Sequence, residues 1–141
     1  MLNTLFVYGT LRKARNGELH PYLKQHAVFV GQAHLPGKLY QIDHYPGAIQ
    51  VAAFSKLRIQ GEVYRLSQPQ TTLAVLDEYE ECTPHFPMPH EYRRQAETVI
   101  LANGTALNAW VYWFERPVCG LKPIDSGDYY PYLPAHHTEA L

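Results

Sequence analysis

Cysteine, methionine and tryptophan are scarce in this chain of 141 residues, which contains two of each. The two cysteines, Cys82 and Cys119, could form one disulfide at most, and a chain of this length buries enough surface to fold without one. We therefore expect both thiols to be reduced. The sequence also lacks an apolar run long enough to span a bilayer, which argues against a membrane protein.

An excess of charge of either sign is also missing. Lys and Arg total 12, Asp and Glu total 13, and the net charge is -1. The basic residues are scattered and form no stripe of the kind that nucleic-acid binding needs, so we expect no nucleic-acid partner. Met1 precedes only a brief apolar stretch, without a basic region or a small-residue cleavage site, and this pattern predicts a cytoplasmic protein.

The residues that are present describe one globular domain, which we assign to residues 1–141. Hydrophobic residues make up 46% of the chain and charged residues 18%, which is typical of this class. Tyrosine is abundant, with 11 residues. Such a density favours β-rich packing and pocket rims, where the ring is buried and the hydroxyl stays hydrogen-bonded.

Short apolar stretches alternate with turn-forming residues along most of the chain. They predict strands over residues 4–8, 28–30, 38–42, 58–66, 92–101 and 106–114. Helices are predicted within residues 18–25 and over residues 71–80, with prolines near both starts. Residues 82–90 contain three prolines and should be irregular, and the tail from Arg116 onward should be coil or short turns.

Glycines mark three further features of the predicted strands. Gly61 lies inside one strand and indicates a bulge, a bend or a close approach by another backbone. The Asn103-Gly104 pair predicts a hairpin between the last two strands. Residues 45–47 predict a turn.

A loop at residues 8–11 follows the first predicted strand. The strand is rich in β-branched and aromatic residues, a pattern typical of burial on both faces. Gly9 breaks it, and because glycine permits close backbone approach, the amides that follow can point at an anionic ligand. The alternative is an ordinary junction between a strand and a turn.

Four carboxylates lie at the end of the second predicted helix, namely Asp77, Glu78, Glu80 and Glu81. Negative charge is mildly unfavourable at a helix C-terminus, so we expect a compensating partner. Leu73, Leu76 and Tyr79 form one apolar stripe at about 100° per residue, and Glu80 falls inside that stripe. Glu80 is therefore the carboxylate predicted to face the interior.

Burial of Glu80 would raise its pKa toward the range in which a carboxyl both takes and gives a proton near neutral pH. This is the chemistry of a general acid/base. The alternative is that Glu80 reaches solvent or caps a loop amide.

Two competing sites involve cysteine and histidine. Cys82, His85 and His90, with Cys119 as a fourth ligand, have spacings that a metal tolerates, although no close pair of cysteines supports a zinc site. Cys82 and His85 could also form a nucleophilic pair, but nothing marks a residue to orient the base. The sequence has no phosphate-binding or dinucleotide-binding motif.

Three segments in this order resemble the gamma-glutamylcyclotransferase-like family. They are Phe6-Val7-Tyr8-Gly9-Thr10-Leu11-Arg12, Gly61-Glu62-Val63-Tyr64 and Leu76-Asp77-Glu78-Tyr79-Glu80, with Tyr92-Arg93 downstream. The resemblance covers most of the chain up to Phe114. It is similar in particular to the branch that contains gamma-glutamylamine cyclotransferase.

This resemblance implies an α+β fold, a mixed β-barrel with flanking short helices and a cavity at its mouth. It implies that the backbone of Tyr8, Gly9, Thr10 and Leu11 holds a gamma-glutamyl group and that Glu80 is the catalytic acid/base. The implied reaction closes that group into 5-oxoproline and expels an amine or amino acid, with no cofactor and no metal. The implied partner is a small gamma-glutamyl compound, and we expect a monomer or a weak homodimer.

Two alternatives to this function stay open on the sequence. One is a noncatalytic module that binds a small carboxylate or an amino-acid-like ligand in the same cavity. The other is a metal hydrolase built on Cys82, His85 and His90. We further expect residues 125–130 to close part of the pocket, and His136 and His137 to be solvated.

Overall fold

Eight strands, two α-helices and one 3-10 turn occur in a computed structural model that describes residues 1–137. The strands are β1 (Thr4–Val7), β2 (Ala27–Pro36), β3 (Lys38–Gln41), β4 (Pro46–Ile49), β5 (Arg58–Leu66), β6 (Tyr92–Leu101), β7 (Ala106–Phe114) and β8 (Lys122–Ile124). The helices are α1 (Pro21–His26) and α2 (Pro69–Tyr79), and the 3-10 turn spans Tyr130–Tyr132. Of the domain predicted over residues 1–141, residues 138–141 lie outside the described part of the chain. Among the described residues, no helix combines the length and the apolar character that a membrane span requires.

Five strands close into a barrel in the order β1-β5-β2-β6-β7, and the other three form a small sheet in the order β4-β3-β8. Most neighbours in the barrel run antiparallel, but β1 and β7 run parallel where Leu5 pairs with Trp110. The barrel is therefore mixed. Together with the two short helices, it confirms the predicted α+β fold.

Strand β1 contributes to both hydrophobic clusters of the molecule. Phe6 and Tyr8 belong to one cluster, whereas Leu5 and Val7 belong to the other, which includes the buried leucines of both helices. Because successive residues of a strand point to opposite faces, β1 is covered on both sides, as its composition predicted. The 8–11 loop thus starts from a strand that is packed on both faces.

The strand predictions are confirmed where the pattern is local. Strands β6 and β7 pair along almost their whole length around Asn103-Gly104, and Gly104 has a φ of 89°, which favours glycine. Gly61 marks a close backbone approach, since a Cβ at that position would lie 2.3 Å from the carbonyl oxygen of Val7. Both helices begin at a proline, Pro21 and Pro69.

Three strand predictions were wrong. Strand β2 continues to Pro36 instead of ending at residue 30, because β5 pairs with it over nearly all of that length. Strand β4 begins at Pro46, inside the turn predicted over residues 45–47, because β3 supplies its hydrogen-bonding partner. The tail contains β8, which is stabilised by pairing with the distant β3 rather than by its own sequence.

Candidate active site

The 8–11 loop and the end of α2 border a single cavity of about 260 Å³. All five residues predicted for the site, Tyr8, Gly9, Thr10, Leu11 and Glu80, line this cavity. Residues about 70 positions apart in the chain are thus brought together by the fold. The structure places the two halves of the predicted site in one pocket.

The loop is a tight turn with unpaired backbone donors. The amide of Arg12 donates to the carbonyl oxygen of Gly9 at 3.0 Å, and this hydrogen bond closes the turn. A Cβ at Gly9 would lie 2.7 Å from Cγ of Pro46, so the loop can approach β4 only because residue 9 has no side chain. Within residues 1–137 the amides of Thr10 and Leu11 donate to no protein acceptor. They are therefore available to an anionic ligand.

Tyr8 fixes the start of the loop. Its hydroxyl donates to the carbonyl oxygen of Tyr112 at 2.6 Å and accepts from the amide of Ala48 at 3.2 Å. Burial raises the pKa of Tyr8, with a smaller contribution from the nearby carboxylate of Glu80, so the hydroxyl stays protonated. The Tyr8 ring thus ties β1 to β4 and β7 beside the cavity.

Helix α2 positions Glu80 by packing its apolar face. Leu73 and Leu76 are fully buried, which confirms that part of the predicted stripe. Glu80 caps the helix, and its amide donates to the carbonyl oxygen of Leu76 at 2.8 Å. Tyr79, also assigned to the stripe, is 47% exposed because the last turn of the helix leaves the packed surface and borders the cavity.

The chain reverses its direction immediately after Glu80, in a Schellman motif. The amide of Glu81 donates to the carbonyl oxygen of Glu78, and that of Cys82 donates to the carbonyl oxygen of Asp77. Glu81 adopts a left-handed backbone with a φ of 57°, which is unusual for a residue other than glycine. This reversal ends the helix sharply and leaves Glu80 and Glu81 both lining the cavity.

Asp77 attaches the end of α2 to the barrel. Its carboxylate accepts two hydrogen bonds from the Arg94 guanidinium, at 2.8 and 3.0 Å, and one from the Tyr112 hydroxyl at 2.7 Å. Arg94 therefore supplies the compensating charge that the acidic helix end was expected to need. The position of Glu80 is fixed through this pairing, three residues away along the helix.

The environment of Glu80 changes its acidity. The pKa of Glu80 is raised from 4.5 to about 8. Burial is the largest cause of this increase, and the nearby carboxylates of Glu91, Asp77 and Glu81 raise the pKa further. The carboxyl is thus largely protonated at neutral pH and ionises about one pH unit above it. This is the acidity expected of a group that exchanges protons with a bound ligand.

The cavity contains further polar residues that the sequence analysis did not single out. Glu91 lines it and accepts a hydrogen bond from the hydroxyl of Tyr45, and the Tyr92 hydroxyl donates to the carbonyl oxygen of Pro46 at 2.6 Å. The abundance of tyrosine was the only signal that pointed to such a rim. In the described part of the chain, no Lys or Arg lines the cavity, and its ionisable side chains are glutamates, tyrosines and His44.

The competing cysteine and histidine sites are not assembled. Within residues 1–137, no group of three His, Cys, Asp or Glu side chains is placed to hold a metal ion. Burial raises the pKa of Cys82 to about 12, so its thiol is neutral, and it donates to the carbonyl oxygen of Asp77 at 3.5 Å. His85 instead contacts Glu78 at 2.7 Å on the exposed side of α2.

The tail does not occupy the predicted place. Among the described residues, none of 125–130 lines the cavity. The amide of Gln60 donates to the carbonyl oxygen of Gly127, and Asp128 forms an ion pair with Arg12 at 2.8 Å. The tail therefore packs behind the 8–11 loop, because the backbone partners it needs lie on β5 and on residues 12–16.

Comparison with known proteins gives consistent matches. The family model described as "Gamma-glutamyl cyclotransferase, AIG2-like" matches residues 5–131. The chain is 36% identical over 126 residues to the gamma-glutamylcyclotransferase family protein YtfP of Escherichia coli (strain K12), covering 89% of this chain and 94% of that protein. It is 32% identical over 113 residues to the gamma-L-glutamyl-butirosin B gamma-glutamyl cyclotransferase of Niallia circulans, covering 79% and 67%. The crystal structure of an AIG2-like protein from Mus musculus shares the fold, with a TM-score of 0.66 at 23% identity over 99% of both chains.

Proposed function

The chain belongs to the gamma-glutamyl cyclotransferase, AIG2-like family, and on this basis we propose that it converts gamma-glutamyl compounds into 5-oxoproline and a free amine. One observation carries the proposal. The carboxyl of Glu80, with a pKa of about 8, shares a cavity with the unpaired amides of the 8–11 loop. That combination matches a substrate with one carboxylate to hold and one ammonium to deprotonate.

The 8–11 loop is proposed to bind the alpha-carboxylate of the gamma-glutamyl group. The amides of Thr10 and Leu11 are the donors suited to an anion, because no Lys or Arg among the described residues lines the cavity. Binding would fold the substrate so that its alpha-nitrogen approaches its own gamma-carbonyl carbon. This alignment of the reacting groups is expected to contribute strongly to the rate, since well-oriented intramolecular reactions reach effective molarities of about 10⁵ to 10⁸ M.

Glu80 is proposed to move the protons. Its carboxylate takes a proton from the alpha-ammonium, and the free amine attacks the gamma-carbonyl carbon to close a five-membered ring. The bond from that carbon to the leaving nitrogen then breaks, and Glu80 returns a proton to the departing nitrogen. The alpha-nitrogen loses two protons in total and the leaving nitrogen gains two. The reaction therefore needs neither water nor a redox partner.

The side chains around Glu80 affect which leaving group the cavity favours. Glu81 and Glu91 line the cavity beside Glu80, and the leaving nitrogen must lie close to Glu80 to receive its proton. An alpha-amino acid would bring its own carboxylate next to these side chains, whereas an amine would not. We therefore propose gamma-glutamyl amines as preferred substrates. The relative from Niallia circulans is named for a gamma-glutamyl derivative of butirosin B.

A substrate panel tests the proposed function. The protein is incubated with gamma-glutamyl derivatives of a diamine, a neutral alkylamine and an alpha-amino acid, and released 5-oxoproline is quantified by chromatography. We expect release from the panel, fastest with the diamine derivative and slowest with the amino-acid derivative. If every compound is bound but recovered unchanged after long incubation, the noncatalytic binding module replaces the enzyme.

The pH dependence of turnover follows from the acidity of Glu80. As the carboxylate is the form that takes the proton, kcat/KM is expected to rise with pH below about 8 and to fall again at the higher pH where the alpha-ammonium of the substrate loses its proton. The slope should be about tenfold per pH unit between pH 6 and 7. Initial rates at low substrate concentration across pH 5 to 10 measure this. A profile that is flat from pH 5.5 upward would contradict the role of Glu80.

Substitution of Gly9 tests the loop. In Gly9→Val the new Cβ would lie 2.7 Å from the Pro46 ring, so the loop must shift. The shift would change the direction of the loop amides. We expect KM to rise about tenfold or more, with the free energy of unfolding lowered by only about 1–3 kcal/mol. Gly31→Val is the matched control, because a Cβ there has its nearest neighbour at 3.7 Å, outside the cavity. Full activity in Gly9→Val would mean that the loop is only a turn.

A further inference from the structure

The loop that faces Glu80 is held from behind by a buried ion pair and by the C-terminal segment. We propose that Glu62 and Asp128 are positioning residues, which act through Arg12 to set the direction of the Thr10 and Leu11 amides. The proposal rests on the proposed function, because it assigns these amides to substrate binding. It gives the tail a part in substrate affinity without direct contact with the substrate.

The first observation is a charged pair with almost no access to water. The side chains of Arg12 and Glu62 are buried, with 5% and 2% of each residue exposed, and Nε of Arg12 lies 3.4 Å from Oε2 of Glu62. Apolar residues of similar size usually stabilise a fold at least as well as a buried ion pair. A buried pair is thus weak evidence for a role in stability, and we assign this one the role of holding a defined geometry.

Glu62 is placed to control both ends of the loop. On β5 it pairs in register with Val7, directly before the loop, and its Oε1 accepts from the amide of Lys13, two residues after the loop, at 3.0 Å. The same oxygen accepts from the Tyr64 hydroxyl at 2.8 Å, which fixes the carboxylate itself. Residue 62 thus contacts the chain on both sides of the turn, through its backbone before the turn and through its carboxylate after it.

The second observation is that the C-terminal segment contacts the residues that follow the loop. Oδ1 of Asp128 lies 2.8 Å from Nη1 of Arg12, and Nε2 of His137 lies 2.7 Å from the Arg12 carbonyl oxygen. The amide of Arg15 donates to the carbonyl oxygen of Pro134. The expectation that His137 is solvated was therefore wrong, because the tail folds back onto this segment.

The two carboxylates act on one guanidinium from different elements. Glu62 belongs to the barrel wall, whereas Asp128 belongs to the tail, so Arg12 is fixed only when both are in place. Neither Glu62 nor Asp128 lines the cavity. The Asp128 carboxylate also accepts from the Tyr130 amide at 2.9 Å within the tail, so its side-chain link to the loop is Arg12, the residue whose amide closes the turn onto Gly9.

The test compares Asp128→Ala with Asp125→Ala, which removes an exposed carboxylate of the same tail that forms no side-chain hydrogen bond within residues 1–137. With a gamma-glutamyl diamine as substrate, Asp128→Ala is expected to raise KM about fivefold or more and to change kcat by less than about twofold. Asp125→Ala should leave both constants unchanged. Asp128→Asn keeps an oxygen for Arg12 and should restore most of the affinity. Asp128→Leu keeps the side-chain volume without an acceptor and should not restore it, which a loss of packing alone would not predict.

Hydrogen exchange provides a readout that needs no turnover. The amides of Arg12 and Lys13, bonded to Gly9 and Glu62, should exchange about tenfold faster in Asp128→Ala than in the parent protein. Faster exchange in a protein that releases no 5-oxoproline would keep the positioning role and overturn the proposed function. Active enzyme with unchanged KM and unchanged exchange in Asp128→Ala would overturn the positioning role alone.

Discussion

Replacement of Glu80 by Gln is expected to lower kcat for 5-oxoproline release by about 10²- to 10⁴-fold while the barrel stays folded. Glutamine has nearly the same shape as glutamate, so Leu73 and Leu76 still hold the helix end against the barrel. It can neither take the proton of the alpha-ammonium nor return one to the leaving nitrogen. The loss should therefore appear in kcat, with little change in the affinity for the gamma-glutamyl group.

The matched control is Glu78→Gln, on the same helix end but outside the cavity, where the carboxylate is half exposed. It should keep nearly full activity. Undiminished 5-oxoproline release by Glu80→Gln would remove Glu80 from the mechanism. The panel of gamma-glutamyl compounds described above supplies the substrate for both variants.

The same substitution has a pH-dependent effect on stability. The pKa of Glu80 is raised in the folded state, from 4.5 to about 8, so the folded protein binds this proton more tightly than the unfolded chain does. The contribution to the free energy of unfolding is therefore complete below pH 4.5 and is lost as the pH rises toward 8. Glu80→Gln should gain stability relative to the parent protein over that range. Urea unfolding at pH 5 and pH 8.5 measures the difference.

Gly61→Ala is expected to destabilise the barrel strongly. The added Cβ would lie 2.3 Å from the carbonyl oxygen of Val7 and 2.6 Å from the Phe6 ring, so β1 must move away from β5. Such overpacking should lower the free energy of unfolding by about 3 kcal/mol. Because Val7 directly precedes the 8–11 loop, activity should fall as well.

Gly31→Ala serves as its control on the neighbouring strand β2. A Cβ at Gly31 would meet only Leu101 at 3.7 Å, which is ordinary contact, so this variant should match the parent or gain about 0.5 kcal/mol. Urea unfolding of both variants gives the comparison. Equal destabilisation of the two would mean that the approach of Val7 to residue 61 does not limit the packing.

The sequence predicted the parts of the fold that local physics determines. The Asn103-Gly104 hairpin needs only a turn type and two apolar strands, and both are visible in the sequence. Glu80 could be selected from four adjacent carboxylates because Leu73 and Leu76 define which face of α2 is buried. The resemblance to a known family independently pointed to the same residue.

The rest depends on long-range pairing that no local pattern encodes. Glu91 follows a segment with three prolines and carries no periodic signal, yet the fold brings it to the cavity beside Tyr45. Strand β8 forms because it pairs with β3, which is distant in the sequence. The tail was expected to close part of the pocket, but Asp128 forms an ion pair with Arg12 instead. No pattern in the sequence indicates that these two residues are in contact.

The parallel pairing of β1 with β7 determines when this molecule can fold during its synthesis. Leu5 and Trp110, the residues that meet there, are 105 positions apart. A ribosome must release most of the chain before β1 acquires its second neighbour, whereas the β6–β7 hairpin can form as soon as it emerges. The edge of β1 that pairs with β7 therefore stays unpaired and prone to aggregation for most of translation. Closure of the barrel is among the last steps.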